Sequence, residues 1–309
     1  PVVIHAVTKK GLGYAPAQAN PEAFHGVAPF DIATGEIRKS KGGAPTYTSV
    51  FSQRLIAEAE ENPCIVAITA AMPAGTGLDA FAKRFPRRFF DVGIAEECAV
   101  TMASGLAIGQ FVPVVAVYST FLQRAYDEIA TNVCLQNLHV VFAVDRAGLV
   151  GEDGSTHHGT FDLAYLRTLP NMRILAPSDE AELARALRFA IDATGPIAVR
   201  FPRGKAQGVA LPEHVGPIDD HARVVHGAAE GLVDVSFLAV GRMVHSAVEA
   251  AQELEERGIS ARVFDMRWVK PVDARAVQAA AHDSRLLVSV EDGTLAGGFG
   301  SAVLETLAD

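Results

Sequence analysis

From Tyr47 onward the apolar residues follow two alternating rhythms. Runs that are apolar at nearly every position, CIVAITA (64–70), VPVVAVY (112–118), LHVVFAVDR (138–146), MRILAP (172–177) and PIAVRFP (196–202), are separated by stretches whose apolar residues recur every three or four positions. The runs predict strands buried on both faces, and the stretches predict helices. SVFSQRLIAEAEEN reads as a helix with Ser49 as its N-cap, LDAFAKRFP as a short helix, and RFFDVG as a further strand. EECAVTMASGLAIGQ (96–110), STFLQRAYDEIATNVCLQN and the segment opened by SDEAELARALRFAID read as longer helices. Such alternation builds an α/β fold, a parallel sheet with helices on each side.

The flanks behave differently. PVVIHAV reads as an interior strand that needs neighbours on both sides, and GLGYAPAQANPEAFHGVAPFDIATGEIRKSKGGAP (11–45), rich in Gly, Pro and Ala, reads as a linker. GKAQGVALPEHVGPIDDHA (204–222) is a second linker by composition. A smaller alternating unit follows: strand DVSFLAVGRM, a helix from His245 to Arg257, strand ARVFDMRWV, a helix beginning at 272–274, strand RLLVSVED, and GTLAGGFGSAVLETLAD entering a last helix. The absent initial methionine and the stop in mid-helix lead us to expect a piece of something longer.

Composition narrows the function classes. With 309 residues, 49% of them hydrophobic and 20% charged, the chain has core enough for about two domains. A net charge of -9, with no runs of basic residues, argues against nucleic acid or an anionic membrane as partner. No apolar stretch approaches the roughly 20 residues of a membrane span, so a cytoplasmic protein is expected. Cys64, Cys98 and Cys134 are odd in number and set in apolar contexts, which predicts buried free thiols.

In an open parallel sheet the ligand crevice lies beyond the carboxyl ends of the strands. That rule singles out Met72 with the Gly75–Gly77 turn, Glu96, Tyr118 to Arg124, Arg146 to His158, and Arg203. Glu96 opens a helix, where a carboxylate is often structural; its place between a buried strand and an apolar helix favours a charge facing a ligand. Phe121 and Arg124 read equally as core and ion-pair partner or as an aromatic platform with a substrate-side cation. In DRAGLVGEDGSTHHG (145–159), Glu152, Asp153, His157 and His158 are possible metal ligands. Adjacent histidines point to opposite sides and no second cluster completes a shell, which disfavours a metal. An acid and an imidazole beside Arg146 suit proton handling near an anion; a polar surface loop rich in turns remains the alternative. Arg203 and Arg146 together suit a clamp for phosphate or carboxylate. GGFGS (297–301) is a weak phosphate signal that close strand-to-helix packing explains equally well.

Taken together, VTKKGLGYAPA, AITAAMPAGTGL, FDVGIAEE, VVAVYSTFLQRAYDE, DRAGLVGEDGSTHHGTFDL, RFPRG and VEDGTLAGGFGSAVLE resemble the 1-deoxy-D-xylulose-5-phosphate synthases, transferases of the transketolase superfamily that use thiamin diphosphate. The resemblance implies a layout: 1–45, remnant of a first domain and linker; 46–204, pyrimidine-binding domain; 205–221, linker; 222–309, incomplete transketolase C-terminal domain. A missing N-terminal domain would hold Mg2+ and the diphosphate, so the chain alone is expected to be inactive. The resemblance makes Glu96 the acid that hydrogen-bonds N1′ of the aminopyrimidine and favours its imino tautomer, Phe121 the ring stacked on it, and Met72 a cofactor neighbour. It places Tyr118, Arg146 and Arg203 at the phosphate of D-glyceraldehyde 3-phosphate, with Asp153, Arg124 and the catalytic His157 lining the same acceptor site and His158 outside it. Pyruvate is the implied donor, a homodimer the implied assembly, and isoprenoid and thiamin biosynthesis the implied context. Glu97-Cys98 depart from the Gln-His of many members. Alternatives are the pyrimidine-binding subunit of a split transketolase or 2-oxo acid dehydrogenase, and a non-catalytic interaction module.

Overall fold

The structure is a computed structural model that describes residues 1–309 except 22, 26, 28, 38–41, 212–214, 217 and 309, together with the side chain of Glu152. The chain divides into two units, Pro1–Gly43 and Ala44–Asp309. In the first, the segment expected to be a featureless linker folds on itself. A short helix α1 (Ala15–Ala19) starts with a proline in its first turn, and the rings of Tyr14, Phe24 and Phe30 meet with centroids 5.2–6.0 Å apart. Asp31 Oδ1 accepts the backbone N–H groups of Ala33 and Thr34, closing a turn. Three aromatics supply a small apolar nucleus that a Gly/Pro count misses. PVVIHAV, in contrast, forms no strand: Val2, Val3, Ile4 and Val7 are 86–95% exposed, and among the described residues none pairs with them.

The second unit alternates as the apolar rhythm predicts. Helix α2 (Tyr47–Glu61) leads into β1 (Ile65–Thr69), α3 (Leu78–Arg84), β2 (Phe89–Asp91), α4 (Glu96–Ile108) and β3 (Val112–Tyr118). Short helices α5 (Ser119–Leu122) and α6 (Tyr126–Glu128) precede β4 (Val141–Ala147). Then come α7 (Asp162–Arg167), β5 (Arg173–Leu175), α8 (Glu180–Asp192) and β6 (Ile197–Pro202). The remainder contains β7 (Arg223–His226), β8 (Val233–Ala239), α9 (Met243–Glu256), β9 (Ala261–Asp265), β10 (Trp268–Lys270), α10 (Ala274–His282), β11 (Ser284–Val290) and α11 (Phe299–Ala308). Among the described residues one sheet has seven strands in the order β10-β5-β6-β4-β3-β1-β2, parallel except for β10, and the other has four in the order β11-β8-β9-β7, with β7 antiparallel.

Alternate residues of β1, β3 and β4 face opposite sides of the large sheet. Val66, Ile68, Val115, Val117, Phe142 and Val144 join one core with α4 and with Leu238, Phe264 and Phe299 of the smaller layer. Ile65, Ala67, Val114, Ala116, Val141 and Ala143 join another with α2 and α8. Burial on both faces is why these strands read as continuous apolar runs.

Several details differ from the sequence reading. Thr46, not Ser49, caps α2: its Oγ1 accepts Ser49 N–H at 3.1 Å, because burial of Tyr47 draws the helix start toward the sheet. The segment 119–137 is not one helix. A 3-10 turn (Gln123–Ala125) separates α5 from α6, and a π turn (Ile129–Cys134) follows. ARVFDMRWV divides into two strands at Arg267, whose φ of 56° turns the chain so that β10 crosses to the large sheet and pairs with β5. Of the three cysteines, all free, only Cys134 is buried; Cys64 is half-buried and Cys98 exposed on the outer side of α4. The cap makes a direct prediction: Thr46→Ala lowers stability by about 1 kcal/mol while Thr46→Ser retains most of it, read from thermal unfolding followed by circular dichroism.

Candidate functional site

The carboxyl ends of β1, β3, β4 and β6 lie side by side, and the expected residues collect there. β3 ends at Tyr118, in register with Asp145 near the end of β4. The β4–β6 pairing then slips between Val144 and Ala147, and in that bulge Arg146 takes a left-handed conformation, φ 58°. The irregularity turns Arg146 over the Tyr118 ring, 3.9 Å from its centroid. The turn after β1 closes from the other side: a Cβ at Gly75 would stand 1.7 Å from the Tyr118 hydroxyl, so only glycine allows this approach. Met72 lies half-buried in the same turn, its carbonyl accepting both the N–H and the hydroxyl of Thr76.

Glu96 is the first residue of α4 and only 2% exposed, so its charge needs a partner. Arg124, on the 3-10 turn after α5, supplies it: Nη1 stands 3.2 and 3.0 Å from the two carboxylate oxygens. The Arg124 guanidinium also lies 5.4 Å from the Phe121 ring centroid. Phe121 in turn stacks on Tyr118 (5.8 Å, 24°) and receives the edge of His157 (5.4 Å, 75°). Arg124 is thus the ion-pair partner of Glu96, and the half-buried Phe121 packs against the rings of Tyr118 and His157.

The loop between β4 and α7 is closed at its base by two reciprocal backbone bonds between Gly148 and Gly159, 2.8 Å each. Within it Asp153 is ion-paired to Arg146, and its Oδ2 lies 3.4 Å from Arg203 Nε, so both guanidiniums converge on one carboxylate. Arg203 also donates to Val150 O at 3.2 Å. The two histidines diverge. His157 faces Phe121, with Nδ1 3.1 Å from Thr156 Oγ1, whereas His158 Nδ1 accepts Val150 N–H and braces the loop from inside.

Sequence reasoning missed Asp145 and Thr48. Asp145 is wholly buried; Oδ1 accepts Arg146 N–H at 2.6 Å, fixing the bulge, and Oδ2 accepts the Thr48 hydroxyl at 2.9 Å. Burial pushes its carboxyl up to about 7, opposed by those two hydrogen bonds and by the charges of Arg146 and Arg203. Burial likewise raises the Tyr118 phenol. The available signal was an aspartate closing the apolar run LHVVFAVD. At the other glycine cluster, Arg167 donates to the carbonyls of Gly297 and Gly298, and a Cβ at Gly298 would meet Thr294 O at 2.3 Å, which is the close-packing reading of GGFGS. No helix among the described residues is long and apolar enough to cross a membrane.

Comparison with known proteins gives concordant matches. Residues 43–208 match the profile of the transketolase pyrimidine binding domain and residues 229–309 that of the transketolase C-terminal domain. The chain is 55% identical over 313 aligned positions, all of its length, to 1-deoxy-D-xylulose-5-phosphate synthase 1 of Geobacter sulfurreducens, and 56% identical to synthase 2 of the same organism. It spans about half of these relatives, 48% and 49%. Among solved structures, a split-gene transketolase described as an inactive β4 tetramer superposes with a TM-score of 0.77 at 34% identity, covering 86% of each chain.

The raised Asp145 carboxyl carries a sign. Between pH 4 and 7 the folded chain holds a proton that the unfolded chain has released, so this group's contribution falls as pH rises through 7. Asp145→Asn, which retains an acceptor for Arg146 N–H, should flatten that part of the stability profile, by up to roughly 1.4 kcal/mol per pH unit. Urea unfolding at pH 5, 6, 7 and 8 measures it, and parallel profiles for both proteins would refute it.

Proposed function

This chain belongs to the transketolase family, and on that premise we propose that it is the pyrimidine-binding and C-terminal part of a 1-deoxy-D-xylulose-5-phosphate synthase. In that reaction pyruvate loses CO2 and its two-carbon remainder is joined to D-glyceraldehyde 3-phosphate. The observation that carries the reading is the convergence of Arg146 and Arg203 on a single carboxylate beside the Tyr118–Phe121 platform and the buried Glu96.

The donor set suits an aminopyrimidine: a buried carboxylate for a ring nitrogen and an aromatic face for the ring plane. Thiamin diphosphate, when bound, supplies the electron sink for loss of CO2. Glu96 would hold the proton at N1′, with Arg124 orienting the carboxylate through both of its oxygens. Phe121 packs against the pyrimidine, with Met72 in the neighbouring turn. On the acceptor side Arg146 and Arg203 grip the phosphate by charge-assisted hydrogen bonds, and Tyr118 donates its hydroxyl. Asp153 and His157 meet the acceptor's hydroxyls, where an imidazole can pass a proton.

Among the described residues no three of His, Cys, Asp and Glu are grouped as metal ligands, so no residue here is assigned to Mg2+ and no step is derived through it. On this reading the diphosphate and Mg2+ belong to the portion of the relatives that this chain does not span. The working enzyme is then a cytoplasmic homodimer feeding isoprenoid and thiamin biosynthesis. A second reading, the pyrimidine-binding subunit of a split transketolase, draws support from the match to the split-gene protein.

Joining the chain to the portion of its relatives that it does not span, and assaying pyruvate with D-glyceraldehyde 3-phosphate, separates the two. Release of CO2 with formation of 1-deoxy-D-xylulose 5-phosphate is the expected result; turnover with ketose phosphates alone would favour the second reading. In the joined enzyme Glu96→Gln should lose roughly a hundredfold or more in kcat with the fold intact, and Arg203→Ala should raise the acceptor KM roughly tenfold or more while leaving that of pyruvate nearly unchanged.

A further inference from the structure

A residue that follows the other sheet packs closely against the base of the loop that carries Asp153 and His157. Gly148 sits at φ +74°, and a Cβ there would stand 2.0 Å from Asp292 Oδ2, so the carboxylate is seated directly on the Gly148 backbone. Asp292 follows β11 of the four-stranded sheet; Gly148 follows β4 of the seven-stranded one. Arg200, on β6, links the two. Its Nη1 donates to Asp292 Oδ1 at 2.6 Å, its Nε to Asp162 Oδ2 at 2.8 Å, and its Nη2 lies 3.5 Å from the carbonyl of Gly159, the other half of the closing pair. All three charged side chains are buried: Arg200 is 3% exposed, Asp162 0% and Asp292 8%. A Cβ at Gly159 would meet Ser119 Oγ at 2.3 Å and Arg146 O at 2.7 Å, so this end of the loop is seated as tightly as the other.

We propose that Asp292 and Arg200 form a positioning clamp through which the C-terminal layer holds the base of loop 148–159, and with it Asp153 and His157, in its working conformation. Neither residue reaches the platform itself; both act through Gly148 and Gly159. The clamp is stiff because its charges are out of water. Burial opposes the Arg200 charge, but Asp162 and Asp292 more than offset it, so the guanidinium stays protonated, and removing one carboxylate leaves the remaining pair imperfectly matched. The inference gives the second sheet a task in the chemistry, and its kinetic arm rests on the acceptor-side reading of Asp153 and His157 given above.

The test uses the complete enzyme and reads the loop independently of turnover. Asp292→Asn keeps the shape and an acceptor for Arg200 while removing the charge; Asp292→Ser withdraws the seat. Amide hydrogen exchange at Gly148, Gly159 and the residues between them should accelerate roughly tenfold to a hundredfold, with β8, β9 and β11 unchanged. The acceptor KM should rise while that of pyruvate holds. Faster loop exchange with an unaltered acceptor KM would leave the clamp standing and sink the acceptor reading of the loop. Unchanged loop exchange, or acceleration spread evenly over both sheets, would overturn the clamp. Should both variants fold poorly, the unmodified enzyme decides: the Gly148 and Gly159 amides must exchange with the slow strands, and exchange as fast as that of the loop tip at 154–156 overturns the proposal.

Discussion

Charges taken out of water must be matched within the fold, and the interior of the larger unit is arranged around that requirement. Glu96 is matched by Arg124, Arg200 by Asp162 and Asp292, and Glu182 by Arg223 and Arg267. Each set joins elements far apart in sequence, so each also fixes how those elements sit. The last set ties α8 to β7 and to the turn at Arg267, where the chain leaves the small sheet for the large one. Asp145 differs: among the described residues, a hydroxyl and a backbone N–H donate to it, and its carboxyl rises toward neutrality.

Apolar rhythm made the architecture legible. Runs such as VPVVAVY and PIAVRFP became strands within a residue or two, because burial on both faces leaves no room for polar alternation. What escaped was set by contacts that periodicity does not encode. The division of ARVFDMRWV depends on a left-handed Arg267, the breaks after β3 on the packing of Phe121 and Arg124, and the small nucleus of Tyr14, Phe24 and Phe30 on three aromatic rings meeting.

The site was legible to the extent that strand ends can be located. Tyr118, Arg146, Asp153, His157 and Arg203 meet because β3, β4 and β6 are neighbours and parallel. Asp145 and Arg200 were passed over although each is a charged residue inside an apolar run, a placement that burial tolerates only with partners. That Arg124 lies on Glu96 was beyond reach, since the ion pair spans 28 positions and depends on where a 3-10 turn begins.

If Arg146 and Arg203 grip the acceptor phosphate as proposed, the placement of Asp153 between them bears on how that anion would be held. Both cations already lie against a carboxylate, which an incoming anion would have to displace. Its binding free energy would then be the difference between two sets of ion pairs, not the whole of one. Such an exchange would trade tightness for speed of departure: as the anion left, the loop's own carboxylate would be at hand to return, sparing the cationic pair solvation from scratch.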